Sequence, residues 1–197
     1  MSNDSSYLHF QFNNMLVKKR LFPFCLLCFL GVLLIPTKTT NADIHTIQNN
    51  NHQYQCLPCG QDCDKKIYSN SGNCESCQMK LVLKSSIIFK TITPEKICNY
   101  IKNHPKTVLL DVRTKEEFEG KAEPDFGTLR NAINIPIQEL EMQMEKIISL
   151  KYKEIIVFCS HNHRSPQASY LLTQNGFTKI MNMSGGMSVM KDNSCKK

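Results

Sequence analysis

The stretch EIIVFCSHNHRSPQ, residues 154–167, combines a strand, a loop and the start of a helix. Its first half is a run of β-branched and aromatic residues, which is typical of a parallel strand buried on both faces. Ser165-Pro166 offers an N-cap residue followed by a proline in the first helical turn, so we expect a helix from there to about Asn175, stopped by Gly176. Cys159 then lies at the carboxyl end of a strand, where parallel α/β sheets bind their ligands.

The segments on both sides repeat this alternation of strand and helix. Further strands are predicted for SIIF (86–89), TVLLDV (107–112), NAINIP (131–136) and KIMNM (179–183). Helices are predicted from Thr93-Pro94 to the stretch NHP (103–105), as a short turn in KEEFEG (115–120), and over 137–149, where apolar residues recur at helical spacing. Strands alternating with helices predict an α/β fold with a parallel sheet flanked by helices.

The loop CSHNHRS, residues 159–165, can stabilise a negatively charged sulfur. The amino end of a helix carries unpaired N–H groups and partial positive charge, and a loop wrapped around Cys159 aims further N–H groups at the sulfur. Both effects favour the thiolate, which is the nucleophilic form of cysteine. Arg164 adds a fixed charge with two donors suited to an oxyanion. We therefore predict that Cys159 is a nucleophile and that Arg164 orients an anion or structures the loop.

Two other interpretations of this loop stay open. Cys159, His161 and His163 carry metal-ligand atoms, although alternate residues of a tight loop point in different directions and no fourth ligand lies nearby. The other interpretation is an inert, buried cysteine at a strand end. In a catalytic loop the two histidines would help to bind an anion or protonate a leaving group, and otherwise they would face solvent.

Four segments together resemble a rhodanese-like domain. They are LLDVRTKEEFEG (109–120), NAINIP (131–136), IIVFCSHNHRS (155–165) and MNMSGGM (181–187), in the family's order and spacing, and the resemblance covers about residues 86–192. It implies a rhodanese fold and a sulfurtransferase activity in which Cys159 carries a sulfane sulfur as a persulfide. A small anionic donor would supply the sulfur, a thiol would accept it, and the step would require no cofactor.

The resemblance also assigns roles around the cysteine. It implies that the loop cradles the persulfide, with the candidate substrate-binding residues Ser160, His161, Asn162, His163 and Ser165. Asp111 and Arg113 of the DVR motif would support the site or form a purely structural ion pair. Phosphatase and arsenate-reductase relatives carry a C-x5-R loop, whereas this chain has C-x4-R, which favours sulfur chemistry over phosphate chemistry.

The chain departs from the family pattern at a few positions. Asn162 stands where the loop usually has glycine, and asparagine is the non-glycine residue best able to adopt positive φ, so we predict a left-handed conformation there. Thr128 and Asn131 replace a histidine and a glycine, and Met190 replaces a tryptophan. These changes weaken the inference to a standard substrate more than the inference to the fold.

Five cysteines crowd into residues 56–77, whereas Cys98, Cys159 and Cys195 lie singly elsewhere. CLPC and CESC are two C-x2-C pairs, each able to chelate one edge of a tetrahedral metal. We predict a small cysteine-rich metal ribbon over residues 56–83, binding zinc or another thiophilic ion. Its ligands would be Cys56, Cys59, Cys74 and Cys77, with Cys63 as a further candidate. The stretch also resembles the small heavy-metal-binding domain found beside bacterial metal-efflux proteins. Disulfides or a redox-active dithiol are the alternatives.

Residues 1–42 have the layout of a signal peptide, and Met15 offers an alternative start. Lys18-Lys19-Arg20 precede an apolar run over 21–35, which is short for a membrane span, and Thr40-Asn41-Ala42 offers a cleavage site. We expect export of a bacterial type, to the periplasm or the medium, after a flexible leader over 43–55. An uncleaved segment would instead anchor the domain outside the cytoplasm.

The charge of the chain gives little indication of a nucleic-acid partner. The formal net charge is +7, but the basic residues are interspersed with acidic ones and there is no tryptophan.

Taken together, the motifs of the sequence predict an exported sulfurtransferase with a metal ribbon. Its rivals are a non-catalytic binding or metal-sensing module of rhodanese fold, and an oxyanion reductase or phosphatase.

Overall fold

The computed structural model describes residues 52–197. The predicted signal peptide and the start of the predicted leader lie outside these residues. The described part of the chain contains a three-stranded antiparallel sheet followed by a five-stranded parallel sheet. None of the helices in this part is both long and apolar enough to cross a membrane.

The parallel sheet is the framework of the larger module. Strands are numbered along the whole described chain, and the first three, whose ranges are given below, form the smaller sheet. The strands of the parallel sheet are β4 (Lys90–Ile92), β5 (Val108–Asp111), β6 (Ile133–Asn134), β7 (Glu154–Phe158) and β8 (Lys179–Met183). Their spatial order is β4-β8-β7-β5-β6. Alternate residues of β7 enter two different cores: Ile155 and Val157 pack on one face, and Ile156 and Phe158 on the other. The sheet is therefore buried on both faces, as the continuous apolar runs predict.

Four α-helices accompany this sheet: α1 (Pro94–Asn103), α2 (Lys115–Phe118), α3 (Ile137–Leu140) and α4 (Arg164–Gln174). Helix α1 begins after the N-cap Thr93 and buries Ile97 in one core, while α4 buries Leu172 in the other. Asn175 ends α4 and Gly176 follows with φ +80°, the left-handed stop that glycine accepts without a Cβ penalty. The α/β class and the flanked parallel sheet are thus confirmed.

Three predicted boundaries were wrong. The strand placed at 86–89 lies instead at β4, because the backbone pairs with β8 from Lys90 onward while Phe89 packs into the core. The helix predicted over 137–149 is interrupted: α3 stops early and a 3-10 helix, Met144–Leu150, still turns Ile147 into the same core as Leu140. Helix α4 begins at Arg164 rather than after Ser165, which lies buried in the first turn.

The smaller sheet holds the cysteine-rich ribbon. Strand β1 (Tyr54–Gln55) lies between β2 (Ile67–Tyr68) and β3 (Val82–Leu83), with Tyr54 opposite Tyr68 and Leu83. The predicted leader therefore ends before residue 54, because these residues are the central strand of a sheet. The core of this ribbon consists mainly of cysteine side chains, five of which pack beside Met79 and Leu81.

A disulfide joins two cysteines that the sequence left single. Cys98 on α1 is bonded to Cys195, 97 residues later, with 5.4 Å between the Cα atoms. The bond fixes the last residues of the chain to the first helix of the larger module.

Candidate active site and cysteine cluster

Cys159 follows the last residue of β7 and is fully buried. Its thiol donates to the hydroxyl of Ser165, with 3.4 Å between Sγ and Oγ. When the sulfur is ionised the hydroxyl can donate in the opposite direction, since a serine O–H rotates to suit its partner. Ser165 lies in the first turn of α4, so the sulfur faces the amino end of a helix.

The backbone of the loop has the conformation of an anion cradle. Asn162 has φ +59°, which confirms the predicted left-handed conformation, and His163 follows in the right-handed region. Successive residues of opposite hand turn their N–H groups toward a common point. In the described part of the chain, the N–H groups of residues 160–163 donate to no protein acceptor. They are therefore free for a negatively charged ligand.

The carbonyl groups of the same loop are held by the SGGM turn, residues 184–187, and the residue that follows it. The N–H groups of Met187 and Ser188 donate to the carbonyl oxygens of Cys159 and Ser160, at 2.9 and 3.0 Å. Gly186 has φ +73°, and a Cβ there would overlap the carbonyl of Ser160. Only glycine allows the two backbones to approach this closely.

Arg164 binds a carboxylate within the protein. Its Nη1 and Nη2 donate to the two oxygens of Glu117, both at 2.6 Å, and Nη2 also lies 3.3 Å from the hydroxyl of Ser160. These hydrogen bonds hold the pKa of Glu117 well below its usual range, and the same carboxylate raises the pKa of Arg164. This geometry favours the loop-structuring role of Arg164 over the anion-orienting role.

Glu117 is a site residue that sequence reasoning missed. It also completes a capping box at the start of α2, with Thr114 accepting from its N–H while its carboxylate accepts from the N–H of Thr114. The T-x-x-E spacing is the signal that could have found the capping role. The hydroxyl of Ser160 donates to either Glu117 or Glu123, so a contact of Ser160 with substrate would use its backbone N–H.

The two loop histidines take up separate positions. The ring of His161 packs edge-on against Phe126 with 5.4 Å between centroids, and His163 is the exposed N-cap residue of α4. Their predicted roles in anion binding and proton transfer stay predictions.

Asp111 and Arg113 form a fully buried ion pair at the end of β5. Nη2 of Arg113 lies 2.7 Å from Oδ2 of Asp111 and also donates to the carbonyl of Gly127. Thr128, which replaces a family histidine, donates its hydroxyl to the same carboxylate oxygen at 3.1 Å. The structural interpretation of this pair fits the geometry, since it ties the end of β5 to the segment that follows α2.

The ribbon brings four thiols together, and this group contains the further candidate Cys63 in place of Cys59. The sulfur atoms of Cys56, Cys63, Cys74 and Cys77 all lie within 4.8 Å of one another. The 3-10 helix Asp62–Lys65 turns Cys63 into this group. Cys59 instead belongs to an overlapping group with Cys56, Cys63 and Asp64, and its thiol donates to Asp64. The geometry therefore favours Cys63 over Cys59 as the fourth ligand, and four soft donors at this separation fit a thiophilic metal ion.

Burial and backbone donors act in opposite directions on these thiols. Burial raises the pKa of Cys56 and of Cys59, so that their thiolates are costly without a positive partner. Burial opposes ionisation of Cys74 as well, but hydrogen bonds from the backbone of Cys77 and Ser76, together with those from the thiols of Cys77 and Cys63, outweigh it and lower the pKa to about 6. We call the two C-x2-C pairs, residues 56–59 and 74–77, the first and second knuckle of the ribbon. Gly60 and Gln78 follow them directly and have positive φ, which suits a tight turn around a bound ion.

The ribbon contacts the loop of Cys159 directly, and all the described residues, 52–197, belong to one compact unit. Nδ2 of Asn162 donates to the carbonyl of Pro58 at 3.3 Å, and its Oδ1 accepts from Asn182 on β8 at 2.9 Å. Leu57 packs into the same core as Cys159. By contrast, a cavity of about 480 Å³ lined by both cysteines of the disulfide has no residue of the loop in its wall.

Comparisons with known proteins agree on the family. The family model of the rhodanese-like domain matches residues 93–193. The Bacillus subtilis protein YqhL is 34% identical over 99 residues, which cover 50% of this chain and 70% of YqhL. A tRNA uridine(34) hydroxylase of Cronobacter sakazakii is 29% identical over 93 residues, or 45% of this chain, but the match spans only 25% of the hydroxylase.

Among solved structures, a rhodanese-related protein of Thermoplasma volcanium is 30% identical, with a TM-score of 0.44, over 54% of this chain and 94% of that one. The family match extends from the N-cap of α1 to the residues just before Cys195 and so contains the whole parallel sheet except β4. This chain therefore belongs to the family of rhodanese-like domain proteins.

Proposed function

We propose that this protein is an exported sulfurtransferase that moves a sulfane sulfur through a persulfide on Cys159 to a thiophilic acceptor. The observation that carries the proposal is the cradle at the end of β7. There the buried sulfur meets the hydroxyl of Ser165, and the N–H groups of residues 160–163 have no protein acceptor in the described part of the chain. A donor set of this kind stabilises charge on a second sulfur bound to the first.

The first half-reaction loads the cysteine. The thiolate of Cys159 attacks the outer sulfur of a donor such as thiosulfate, the S–S bond of the donor breaks, and sulfite leaves with the electron pair. The product is a persulfide whose terminal sulfur carries the negative charge. The free N–H groups of the loop would then neutralise this charge, while Glu117 holds Arg164 and Ser160 in place.

The second half-reaction returns the enzyme to its starting state. A thiolate or cyanide attacks the terminal sulfur, the persulfide bond breaks, and Cys159 leaves as a thiolate. The donor sulfur oxidises the cysteine to the persulfide level and the acceptor returns it to the thiolate, so the full cycle needs no other oxidant or reductant and no cofactor. The shorter C-x4-R loop supports sulfur over a phosphate ester, and the partial match to the hydroxylase supports the domain rather than a tRNA substrate.

Two further features belong to this proposal. Cys56, Cys63, Cys74 and Cys77 would hold zinc or another thiophilic ion, which would stabilise a ribbon that has little apolar core. Export to the periplasm or the medium is supported by the apolar segment 21–35 and by the disulfide between Cys98 and Cys195, since disulfides persist in oxidising compartments.

The test is the mass of the protein after incubation with thiosulfate. We expect a gain of about one sulfur atom, mapped to the peptide that contains Cys159 and absent in Cys159→Ser. Because the ribbon holds five other free cysteines, Cys59→Ser serves as a control that should still gain the sulfur. A protein that gains no sulfur from thiosulfate or from any other sulfane donor would refute the proposal.

A further inference from the structure

The sulfur of Cys159 is out of reach in the described arrangement. Its residue is 0% exposed, and Asn162 beside it is 1% exposed. A nucleophile and its target must approach to about 3–3.5 Å before they react. Some part of the protein must therefore move before a sulfur donor can meet the thiol.

The parts that bury the loop differ in how firmly they are held. Strand β7 is the middle strand of the parallel sheet and packs into an apolar core on each face, and helix α4 packs into one of these cores. The ribbon has two-residue strands and a core made mostly of cysteines. Segments of this size without an apolar core depend on a metal or a disulfide to fold. The ribbon is the element that can move at the lowest cost.

The first knuckle of the ribbon lies on the loop of Cys159. The carbonyl of Pro58 accepts from Asn162, Leu57 is buried in the same core as Cys159, and a Cβ on Gly60 would lie 3.3 Å from Nδ2 of Asn162. Cys56, at the start of this knuckle, is one of the four clustered thiols. The same short segment thus joins the thiol cluster to the persulfide loop.

Asn162 links the two sites through its side chain. A glycine would supply the positive φ of this position equally well, but it could make neither of the two side-chain hydrogen bonds. One of these bonds reaches Asn182 in the parallel sheet and the other reaches the knuckle. Asn162 is therefore a positioning residue that connects the sheet, the loop and the ribbon.

We propose that the cysteine cluster is a metal-dependent cover over Cys159, held to the persulfide loop through Asn162. With a thiophilic cation such as Zn²⁺ on the cluster, the knuckle stays on the loop and Cys159 is closed to small reagents. Without the cation the ribbon loosens and the thiol becomes accessible. This inference rests on the proposed function only for its biological meaning, because the accessibility of a thiol can be measured without any sulfur transfer.

The experiment measures the rate at which iodoacetamide alkylates Cys159 in the full chain. Trypsin releases this cysteine in the peptide 154–164, so its modification is read separately from that of the ribbon. We expect the rate in metal-free protein to exceed the rate in Zn²⁺-loaded protein by about tenfold or more. Native mass spectrometry verifies that the ion is bound. Equal rates in the two states would overturn the proposal.

Variants distinguish the contact between Asn162 and the ribbon from the thiols that bind the metal ion. Cys74→Ser removes a thiol of the cluster and should abolish the effect of Zn²⁺. Asn162→Gly keeps the backbone conformation and should bring the ratio of the two rates close to one while Zn²⁺ still binds. Asn131→Gly is the matched control, because Asn131 has nearly the same φ as Asn162, +62°. It lies outside the loop of Cys159 and makes no contact with the knuckle among the described hydrogen bonds. If Asn162→Gly does not fold, Leu57→Ala tests the same contact from the ribbon, and an unchanged ratio there would also overturn the proposal.

Sulfur loading distinguishes this inference from the proposed function. A missing sulfur adduct in both metal states refutes the sulfurtransferase, whereas the alkylation rates still decide whether a cover exists. An adduct that forms equally fast in both states, together with equal alkylation rates, refutes the cover and leaves the sulfurtransferase intact.

Discussion

Ser165 supplies the side-chain hydrogen bond to the sulfur of Cys159. Ser165→Ala removes this donor and leaves the backbone cradle in place, so we expect the rate of persulfide formation from thiosulfate to fall by about tenfold to a hundredfold, in the range of one lost donor to a developing anion. The rate is measured by release of sulfite. Thermal unfolding should change little, because the hydroxyl is small and its partner is a thiol.

Ser169 is the matched control for that substitution. It lies one turn further along α4, is equally buried, and its hydroxyl has no partner in the described structure. Ser169→Ala should therefore leave sulfite release unchanged. Equal losses in the two variants would show that buried serines of this helix matter for packing rather than for the sulfur.

Single residues could be predicted where their own chemistry decides the outcome. The left-handed conformation of Asn162 follows from the short polar side chain of asparagine, and Asn131 also has positive φ where the family has glycine. The pairing of Arg164 with Glu117 could not be predicted, because it joins residues 47 positions apart whose separation depends on the fold. The grouping of Cys63, rather than Cys59, with the other three thiols could not be predicted for a similar reason, since a C-x2-C spacing says nothing about the turn that follows it.

At the scale of elements, the positions of the thiols in the ribbon predict which of them bind a metal ion. Cys63→Ser removes a member of the four-thiol group, and we expect the affinity for Zn²⁺ to fall by about a hundredfold or more, in the upper range for altered metal sites. Cys59→Ser leaves that group complete and should lower the affinity by less than about tenfold. Competition with a chromophoric chelator measures both constants. The reverse order would restore Cys59 to the ligand set.

The close approach of the SGGM turn to the loop of Cys159 predicts the effect of a side chain at Gly186. Gly186→Ala places a Cβ against the carbonyl of Ser160 at φ +73°, so it should both displace the loop and lower the free energy of unfolding by more than the roughly 1–3 kcal/mol of backbone strain alone. Gly120→Ala has nearly the same φ, +74°, with open space around the new atom. Chemical denaturation of both variants separates strain from overlap, and equal losses would contradict the close approach.

The elements themselves were predicted with unequal success. Strands β5 and β7 carry continuous apolar runs that are buried on both faces, and β8 is buried from Ile180 to Met183 although Asn182 interrupts its apolar residues. Segment 86–89 holds three apolar residues as well, but Ile87 and Phe89 pack into a core without pairing in the sheet, and Ile88 is exposed. Periodicity over 137–149 identified the buried Leu140 and Ile147 without indicating the break between them, since two short helices can bury the same positions as one long helix.

For the whole molecule, the disulfide between Cys98 and Cys195 predicts a stability effect. It closes a loop that spans nearly the entire larger module, and a loop of about a hundred residues corresponds to roughly 4–5 kcal/mol of unfolded-state entropy. The double variant Cys98→Ser/Cys195→Ser should lower the free energy of urea unfolding by about 3–5 kcal/mol. Metal content serves as the control, because the ribbon thiols are not part of the bond. A change below about 1 kcal/mol would contradict this estimate.

For the whole molecule, the sequence predicted the fold class but not how the elements pack against each other. Alternating strands and helices predicted a parallel α/β sheet, and the family match confirms it. Neither the disulfide nor the contact of Pro58 with Asn162 has a local signal, because each joins residues about a hundred positions apart. Long-range contacts of this kind are set by how finished elements pack against each other.

The loop of Cys159 uses the two sides of its peptide backbone for different purposes, and this has a consequence for laboratory evolution. The SGGM turn grips its carbonyls, while its N–H groups stay free. The exposed side chains at 161 and 163 therefore carry little of the fold. A library randomised at these two positions should yield many folded variants with altered preference for the sulfur donor, whereas a library at 160 or 162 should be mostly inactive. Substrate range in this scaffold can thus change without loss of the cradle.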